Sequence, residues 1–442
     1  MSRLGWMGTL RAGTALGLLV IATAQANAGG FAIHEQSSYG QGSSFAGVAA
    51  GGALSSMFWN PATITQVPGI QSESVVTGVL PYAKQTPLPG STLGGAPFNF
   101  PGVSNSAEMG LVPAGYFSYQ LNPNIWLGVS TTAPFGLSVS FPDLWAGRNY
   151  GADTTLKTYN ANPVIAWRIN NWISVGAGVQ IQYADARLQT GLAPALGSNV
   201  ILDGTGWGYG FTAGVTLTPW ASTTIGLGWR SGINQDIDGT LVVPAGVPLS
   251  TPGSVSVTID MPDVVSLGIR HRFDERWTFM GTVEWSNWSR IGTATVTQPS
   301  GAAATVGGSA VTLPFQYDDG WFFSIGSEYK WSDRLTLRSG VGYEISPITD
   351  QVRTPRLPDN DRFWLSVGAS WEVWKGFSFD VAYSHLWVKD PNINITAASG
   401  NPWFAGGVNY IGDVSAHVDI LSIGIKYRWD EPAPVKKAMI TK

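Results

Sequence analysis

The run Thr158-Tyr159-Asn160-Ala161-Asn162-Pro163-Val164-Ile165-Ala166-Trp167-Arg168-Ile169 decides how this chain folds. Tyr159, Ala161, Pro163, Ile165, Trp167 and Ile169 fall at every second position, with Thr158, Asn160, Asn162 and Arg168 between them. Successive side chains of a strand point to opposite faces, so the segment has one greasy face and one wet one. Ile165 is thus expected to face outwards and Asn160 inwards. The pattern recurs over 70–82, 111–121, 125–139, 155–169, 172–186, 207–218, 222–233, 254–271, 276–289, 319–331, 335–346, 362–373, 376–388 and 417–429. Many alternating segments, with small and polar residues opposite the apolar ones, are the signature of a transmembrane β-barrel. The reading is all-β: a 14-stranded antiparallel transmembrane β-barrel with a small N-terminal plug.

The gaps between these segments alternate in length. Short turns fall at places such as Asn122-Pro123-Asn124, Asn170-Asn171 and Trp374-Lys375-Gly376. Longer loops are expected at 83–110, 140–154, 187–206, 234–253, 290–318, 347–361 and 389–416. Short turns belong to the periplasmic side of an outer-membrane barrel, which puts both chain ends there. Trp167, Trp172, Trp220, Trp277, Trp331, Trp374 and Trp429 all gather at the short-turn ends, as an interfacial aromatic girdle should.

Residues 1–28 read as a secretory signal peptide: Arg3 and Arg11, an apolar stretch from Thr14 to Ala24, and a small-x-small site at Ala26-Asn27-Ala28. That stretch is too short to span a bilayer as a helix. The leader holds two of the 25 basic residues and none of the 29 acidic ones, so its removal takes the formal net charge from −4 to −6. A mildly acidic chain without a basic cluster is a poor nucleic-acid binder. With no cysteine, disulfides and thiolate chemistry are excluded. Only 12% of residues are charged, against 20 Trp and 55 Gly, a balance suited to lipid-facing strands that bend.

Residues 29–66 do not alternate and are rich in Gly, Ala and Ser, closing on Asn60-Pro61-Ala62. Small residues allow tight turns and Pro keeps the preceding residue out of helix, so this is a compact plug. The barrel is assigned to 67–429, with a periplasmic C-terminal tail at 430–442. His34, His271, His385 and His417 show neither metal-ligand spacing nor a Ser/His/Asp pattern, so no enzyme, metal or cofactor is expected.

Several motifs carry a resemblance. The segment Gly30-Phe31-x-Ile33-x-Glu35-Gln36-Ser37 with Gly40-x-Gly42, then Asn60-Pro61-Ala62, resembles the N-terminal hatch of the FadL family of outer-membrane transporters. Pro134-Phe135-Gly136-Leu137, Tyr183-Ala184-x-Ala186, Trp229-Arg230-Ser231 and Pro358-Asp359-Asn360-Asp361-Arg362-Phe363-Trp364-Leu365-Ser366 match in the right order, across nearly the whole chain. The family carries long-chain fatty acids and related hydrophobic compounds, and one branch carries aromatic hydrocarbons. The resemblance implies a 14-stranded barrel plugged by its hatch, with Phe31, Asn60, Pro61 and Ala62 beside the passage. It also implies lateral exit of ligand through a kink in the third strand, at Pro134, Phe135 and Gly136. Pro cannot donate to a ladder and Gly packs nothing, so the pair weakens strand pairing. A bulge that serves barrel curvature is the alternative, as an ordinary turn is for Asn60-Pro61-Ala62.

Two loops read as apolar: Leu188, Leu192 and Leu196 in one, Leu241 and Val243 in the other. Contiguous apolar surface facing water marks a binding site, so these are candidate capture loops; mutual packing as a cap is the other possibility. The family's basic residues facing the fatty-acid carboxylate fall on Thr190 and Leu313, neither of them charged, with Arg187 the nearest cation. Burying a carboxylate without a partner is costly, which leaves neutral hydrocarbons as a rival ligand class. A general porin is the second rival, with the plug against it. The expected partners are a hydrophobic small-molecule ligand, outer-membrane lipid and lipopolysaccharide, and the barrel-assembly machinery, for a chain acting as a monomer.

Overall fold

The fourteen alternating segments close on themselves. A computed structural model describes residues 29–97, 100–192, 198–405 and 407–430; the leader, the tail beyond Asp430, and Leu196 lie outside the described residues. The strands are β1 (Ile70–Pro87), β2 (Gly110–Asn122), β3 (Ile125–Thr132, then Gly136–Val139), β4 (Thr154–Arg168) and β5 (Ile173–Gly191). Next come β6 (Asn199–Trp220), β7 (Thr223–Arg230, then Asn234–Val242), β8 (Gly253–Asp260, then Val264–Arg272) and β9 (Trp277–Ser286). The last five are β10 (Gly320–Lys330), β11 (Leu335–Ile345), β12 (Arg362–Trp374), β13 (Phe377–Val388) and β14 (Val408–Arg428). Each pairs antiparallel with its neighbours, and β1 meets β14 from Gln71↔Arg428 to Pro87↔Gly412. Closure leaves no unpaired terminal strand, the condition for spanning a bilayer with strands.

The faces follow the alternation. Ile165 is 53% exposed on the outer surface, whereas Asn160 is buried inside and paired across the ladder with Gln182. The seven tryptophans of the short-turn ends are all exposed on the outside.

The strands run further than the alternation suggested. Residues 187–191, 199–206 and 234–242, expected in loops, continue β5, β6 and β7. Leu188 and Leu241 therefore lie on strands, paired with Leu202 and facing it across two ladders. Leu241 is buried, not exposed. The reason is an inversion of pattern. In the upper half of β7, Ile237 and Leu241 point inwards, while Asp236, Asp238 and Thr240 face outwards. In the upper half of β8, Val255, Val257 and Ile259 are buried between outward or half-buried Ser256 and Thr258. Below the breaks at 231–233 and 261–263 the outward residues are apolar, Leu227, Trp229 and Leu267 among them. A one-residue slip moves every side chain to the other face. Both strands slip where the outward residues change from mainly apolar to mainly polar, the change expected where a lipid-facing wall meets water.

Residues 29–66 occupy the barrel interior. They form one helical turn (Ser38–Gln41) and three 3-10 segments: Val48–Ala50, Leu54–Phe58 and Pro61–Gln66. Asn60 caps the last of these through Oδ1, which accepts from Ala62 N at 3.0 Å. Its Nδ2 donates to the carbonyls of Ala49 (2.7 Å) and of Val215 on β6 (2.9 Å). Asn60-Pro61-Ala62 is thus both a helix start and a tie to the wall. Other ties are Gln41 Nε2 to Ile420 O (3.1 Å), Gly47 N to Thr282 Oγ1 (2.8 Å) and Ser55 N to Glu73 Oε2 (2.9 Å). The Arg338 guanidinium and Lys426 ammonium lie 3.8 and 4.4 Å from the ring centre of Tyr39.

Wall glycines make this close approach possible. A Cβ on Gly228 would strike the carbonyl oxygen of Trp59, and one on Gly226 that of Ala49. Gly228→Val is expected to displace the interior segment without opening the ladder, because its outward face is unchanged. Single-channel recordings should then show a marked rise in ion conductance; the parental conductance from folded variant would refute the blockage.

Candidate functional site

The third strand is interrupted on one side and open on the other. Thr132 faces Asn160 and Gly136 faces Lys157, so β3 uses one residue more than β4 across the break. On the β2 side pairing stops at Gly115↔Thr131, and residues 110–114 of β2 have no partner on β3. Above the gap the two sides are rejoined by an isolated bridge, Ala107↔Val139, by the bond from Ser140 N to Ser106 O (3.0 Å) and by the Ser138 hydroxyl donating to the Glu108 carboxylate.

The N-terminal segment satisfies the freed backbone from within. Ile33 N donates to Pro134 O (2.8 Å), Gly136 N to Phe31 O (2.9 Å), and Gln36 Nε2 to Ala133 O (2.8 Å). Gln36 Oε1 accepts from Ala133 N at 3.3 Å, and Thr158 Oγ1 accepts from Phe135 N at 2.9 Å. Buried amides need partners. Here residues 31–36 stand in for the strand neighbour that β2 does not supply.

Beside this junction lies a cavity of about 60 Å³. Gly29, Ile33 and His34 wall it from the N-terminal segment, Pro134 and Phe135 from the break in β3, and Ile233, Met261 and Trp288 from above. The Phe31 ring packs edge-on against Trp288 at 4.7 Å and Phe135 at 6.1 Å. An apolar cluster runs without interruption from Phe31 and Phe135 through Ile233, Met261 and Trp288 to Val257, Leu241 and Leu313 at the long-loop end. Leu188 and Val243 pack against it.

Its polar lining is unequal. His34 Nε2 meets Glu284 Oε1 at 2.8 Å. Burial alone would lower the imidazole pKa, but the Glu284 carboxylate, helped by Glu344 and Glu35, raises it to about 9. Arg230 has no such partner. Its guanidinium is buried, donates to Phe58 O (3.0 Å) and Gln180 Oε1, and lies 4.2 Å over the Phe58 ring. Among the described residues no carboxylate pairs with it. Sequence reading met Arg230 only as part of a motif; its place on the cavity depends on the break in β7 immediately after it.

The structure brings Phe31, Pro134, Phe135 and Gly136 together, and gathers Leu188, Leu241, Val243 and Leu313 above them. Asn60, Pro61 and Ala62 are elsewhere, against Gly214 and Gly176 of the β6 and β5 wall. Leu192 stays outside the cluster, its N bonded to Ser198 O at 3.1 Å. Thr190 is uncharged but accepts from Arg356 Nη2 (2.9 Å), a cation brought by the segment between β11 and β12. Arg187 is half exposed and paired with Asp203 at 3.1 Å, away from the cavity. No His/Asp/Glu group able to hold a metal ion occurs among the described residues.

A closed antiparallel barrel of fourteen alternating strands is the architecture of an outer-membrane protein. Residues 19–429 match the family described as "Outer membrane protein transport protein (OMPP1/FadL/TodX)", and the chain belongs to it. It is 26% identical over 424 residues to the long-chain fatty acid transport protein of Escherichia coli (strain K12), covering 86% of this chain and 92% of that one. Against outer membrane protein P1 of Haemophilus influenzae (strain Rd) the identity is 24% over 410 residues, 83% of this chain and 88% of that one. A Pseudomonas aeruginosa FadL homologue superposes with a TM-score of 0.80 at 23% identity, covering 91% of this chain and all of that one. The Ralstonia pickettii toluene transporter TbuX gives 0.59 at 19% identity, covering 86% and 94%.

Proposed function

We propose that the protein is a passive channel for long-chain fatty acids or similar hydrophobic molecules, which leave it sideways between β2 and β3. The observation that carries this is the missing β2–β3 pairing at one end of an unbroken apolar cluster whose other end reaches the long loops. Ligand enters among Leu188, Leu241, Val243 and Leu313, descends to the cavity, and passes into lipid at Pro134–Gly136. Residues 29–66 are the plug. The leader is removed, both ends of the mature chain lie in the periplasm, and the barrel works as a monomer among lipid and lipopolysaccharide after insertion by the assembly machinery.

Cavities of about 150 Å³ admit benzene; at about 60 Å³ this one is a closed state. Passage therefore requires the Phe31 segment to swing away from Pro134 and Gly136. Arg230 favours an amphipathic acid, because among the described residues it lines the cavity without a direct ion pair, with Glu284 acting on it only at longer range. The aromatic box of Phe31, Phe135 and Trp288 supports a second reading, a neutral aromatic ligand as in toluene transporters. The test is uptake by cells lacking other transporters of this family. Expression should restore entry of labelled long-chain fatty acid; restored entry of toluene alone would select the second reading, and restoration of neither would reject both.

A further inference from the structure

The backbone nitrogen of Gly29, buried inside the barrel, lies 2.5 Å from Glu344 Oε1 on β11. The next nitrogen, Gly30 N, donates to Asp359 Oδ2 at 3.0 Å. These are the first residues after the Ala26-Asn27-Ala28 site. Before cleavage the Gly29 nitrogen is a neutral amide; afterwards it is a primary amine, protonated at neutral pH.

The surroundings are short of one positive charge. Glu344 and Asp359 are each almost wholly buried. Among the described residues both form ion pairs with the same cation, Arg362, whose Nε lies 3.5 Å from Glu344 Oε2. Two buried carboxylates and one guanidinium leave a net −1, because His34, which Glu344 also reaches, is already paired with Glu284. An uncompensated buried charge is strongly destabilising. Ser346 Oγ (2.6 Å, to Asp359) and Trp364 Nε1 (3.2 Å, to Glu344) donate hydrogen bonds but bring no charge. The Gly29 nitrogen is the group in place to supply it.

Shape agrees with charge. A Cβ at position 29 would collide with Glu344 Oε1, and one at Gly30, which adopts φ +68°, would press on the Trp288 ring. A side chain at position 29 would push the Glu344 carboxylate off the nitrogen, and one at position 30 would strain a left-handed backbone beside Trp288. Two residues on, Phe31 O and Ile33 N close the break in β3.

We infer that cleavage after Ala28 creates an α-ammonium group on Gly29 that ion-pairs with Glu344 inside the barrel and latches the N-terminal segment across the interrupted third strand. Glu344, with Asp359 and Arg362, is the socket for the mature chain end. Processing then does more than release the protein from its leader: it makes the charge that completes the closed state. The latch does not depend on which ligand is carried.

The test needs no ligand, so it stands apart from the transport reading. Purified full-length mature protein is treated at pH 7 with a limiting amine-reactive ester, and mass spectrometry compares labelling of the N-terminal amine with that of Lys375 in an exposed turn. A free α-amine, with pKa about 7.7–8.0 against about 10.4 for lysine, should label far ahead of Lys375. The latched amine is expected to lag behind it. In Glu344→Gln, and in a variant with Ala-Ala inserted between Ala28 and Gly29, the order should reverse while Lys375 is unchanged. The insertion leaves every barrel residue in place, which covers the case in which Glu344→Gln fails to fold. Native protein whose α-amine labels ahead of Lys375, protection that survives the insertion, or a mature chain starting elsewhere than Gly29 would each overturn the latch.

Discussion

Deleting Pro134 is expected to abolish ligand uptake while leaving a folded barrel. Between Thr132↔Asn160 and Gly136↔Lys157 the third strand carries one residue more than the fourth. Removing one restores equal counts with β4 and lets β3 run straight beside residues 110–114 of β2, at the expense of the single Ala107↔Val139 bridge, whose register with Gly115↔Thr131 it shifts by one residue. Pro134 is the residue to take, since it has no N–H to contribute to a restored ladder. Each new backbone bond adds about 0.5–1.5 kcal/mol, so three of them stabilise a closed wall by about 1.5–4.5 kcal/mol. That is roughly a tenfold to thousandfold drop in the open fraction. Heat-modifiable migration on gels reports the folded barrel, and the initial rate of fatty-acid entry reports the passage. A folded deletion variant that carries ligand at the parental rate would remove the lateral exit from consideration.

The second large effect concerns the ligand's head group. Arg230→Met should weaken binding of a long-chain acid by tenfold or more, with little change for the matched alcohol. A hydrogen bond to a charged group is worth about 1.5–3 kcal/mol, or about tenfold to more than a hundredfold in Kd. The side chain also holds Phe58 O and Gln180, so its loss perturbs the cavity for any ligand. The ratio of acid to alcohol affinity cancels that shared part. Binding to purified protein, measured well above the carboxyl pKa, gives the ratio directly. An unchanged ratio would mean that Arg230 does not meet the ligand; parental protein without any preference for the acid would shift the assignment to neutral hydrocarbons.

The barrel itself was legible because its signal is local. A strand in a bilayer wall has lipid on one side and an interior on the other, and period-two alternation records both solvents residue by residue. Hence Tyr159 to Ile169 gave the faces, the spacing of turns gave fourteen strands, and the tryptophans of the short-turn ends gave the girdle. The same signal failed above the membrane. There Ile237 and Leu241 turn inwards and Asp236 and Asp238 outwards, so continuing strands looked like apolar loops. A pattern whose phase flips in mid-strand cannot be followed without knowing where lipid ends.

The site divides along similar lines. Pro134 and Gly136 could be picked out as unfit for a regular ladder, because that unfitness belongs to the residues themselves. That Ile33 and Phe31 complete the broken edge, that Arg230 opens onto the cavity, that Arg356 reaches Thr190, and that Gly29 meets Glu344 are facts of closure. Each joins residues about a hundred or more positions apart, or depends on a break that places a neighbour. By itself the sequence determined which faces see lipid, how many strands close the wall and where that wall is weak. Only the tertiary structure decided what fills the weak place, because a buried backbone group or charge takes whichever partner the closed barrel brings to it.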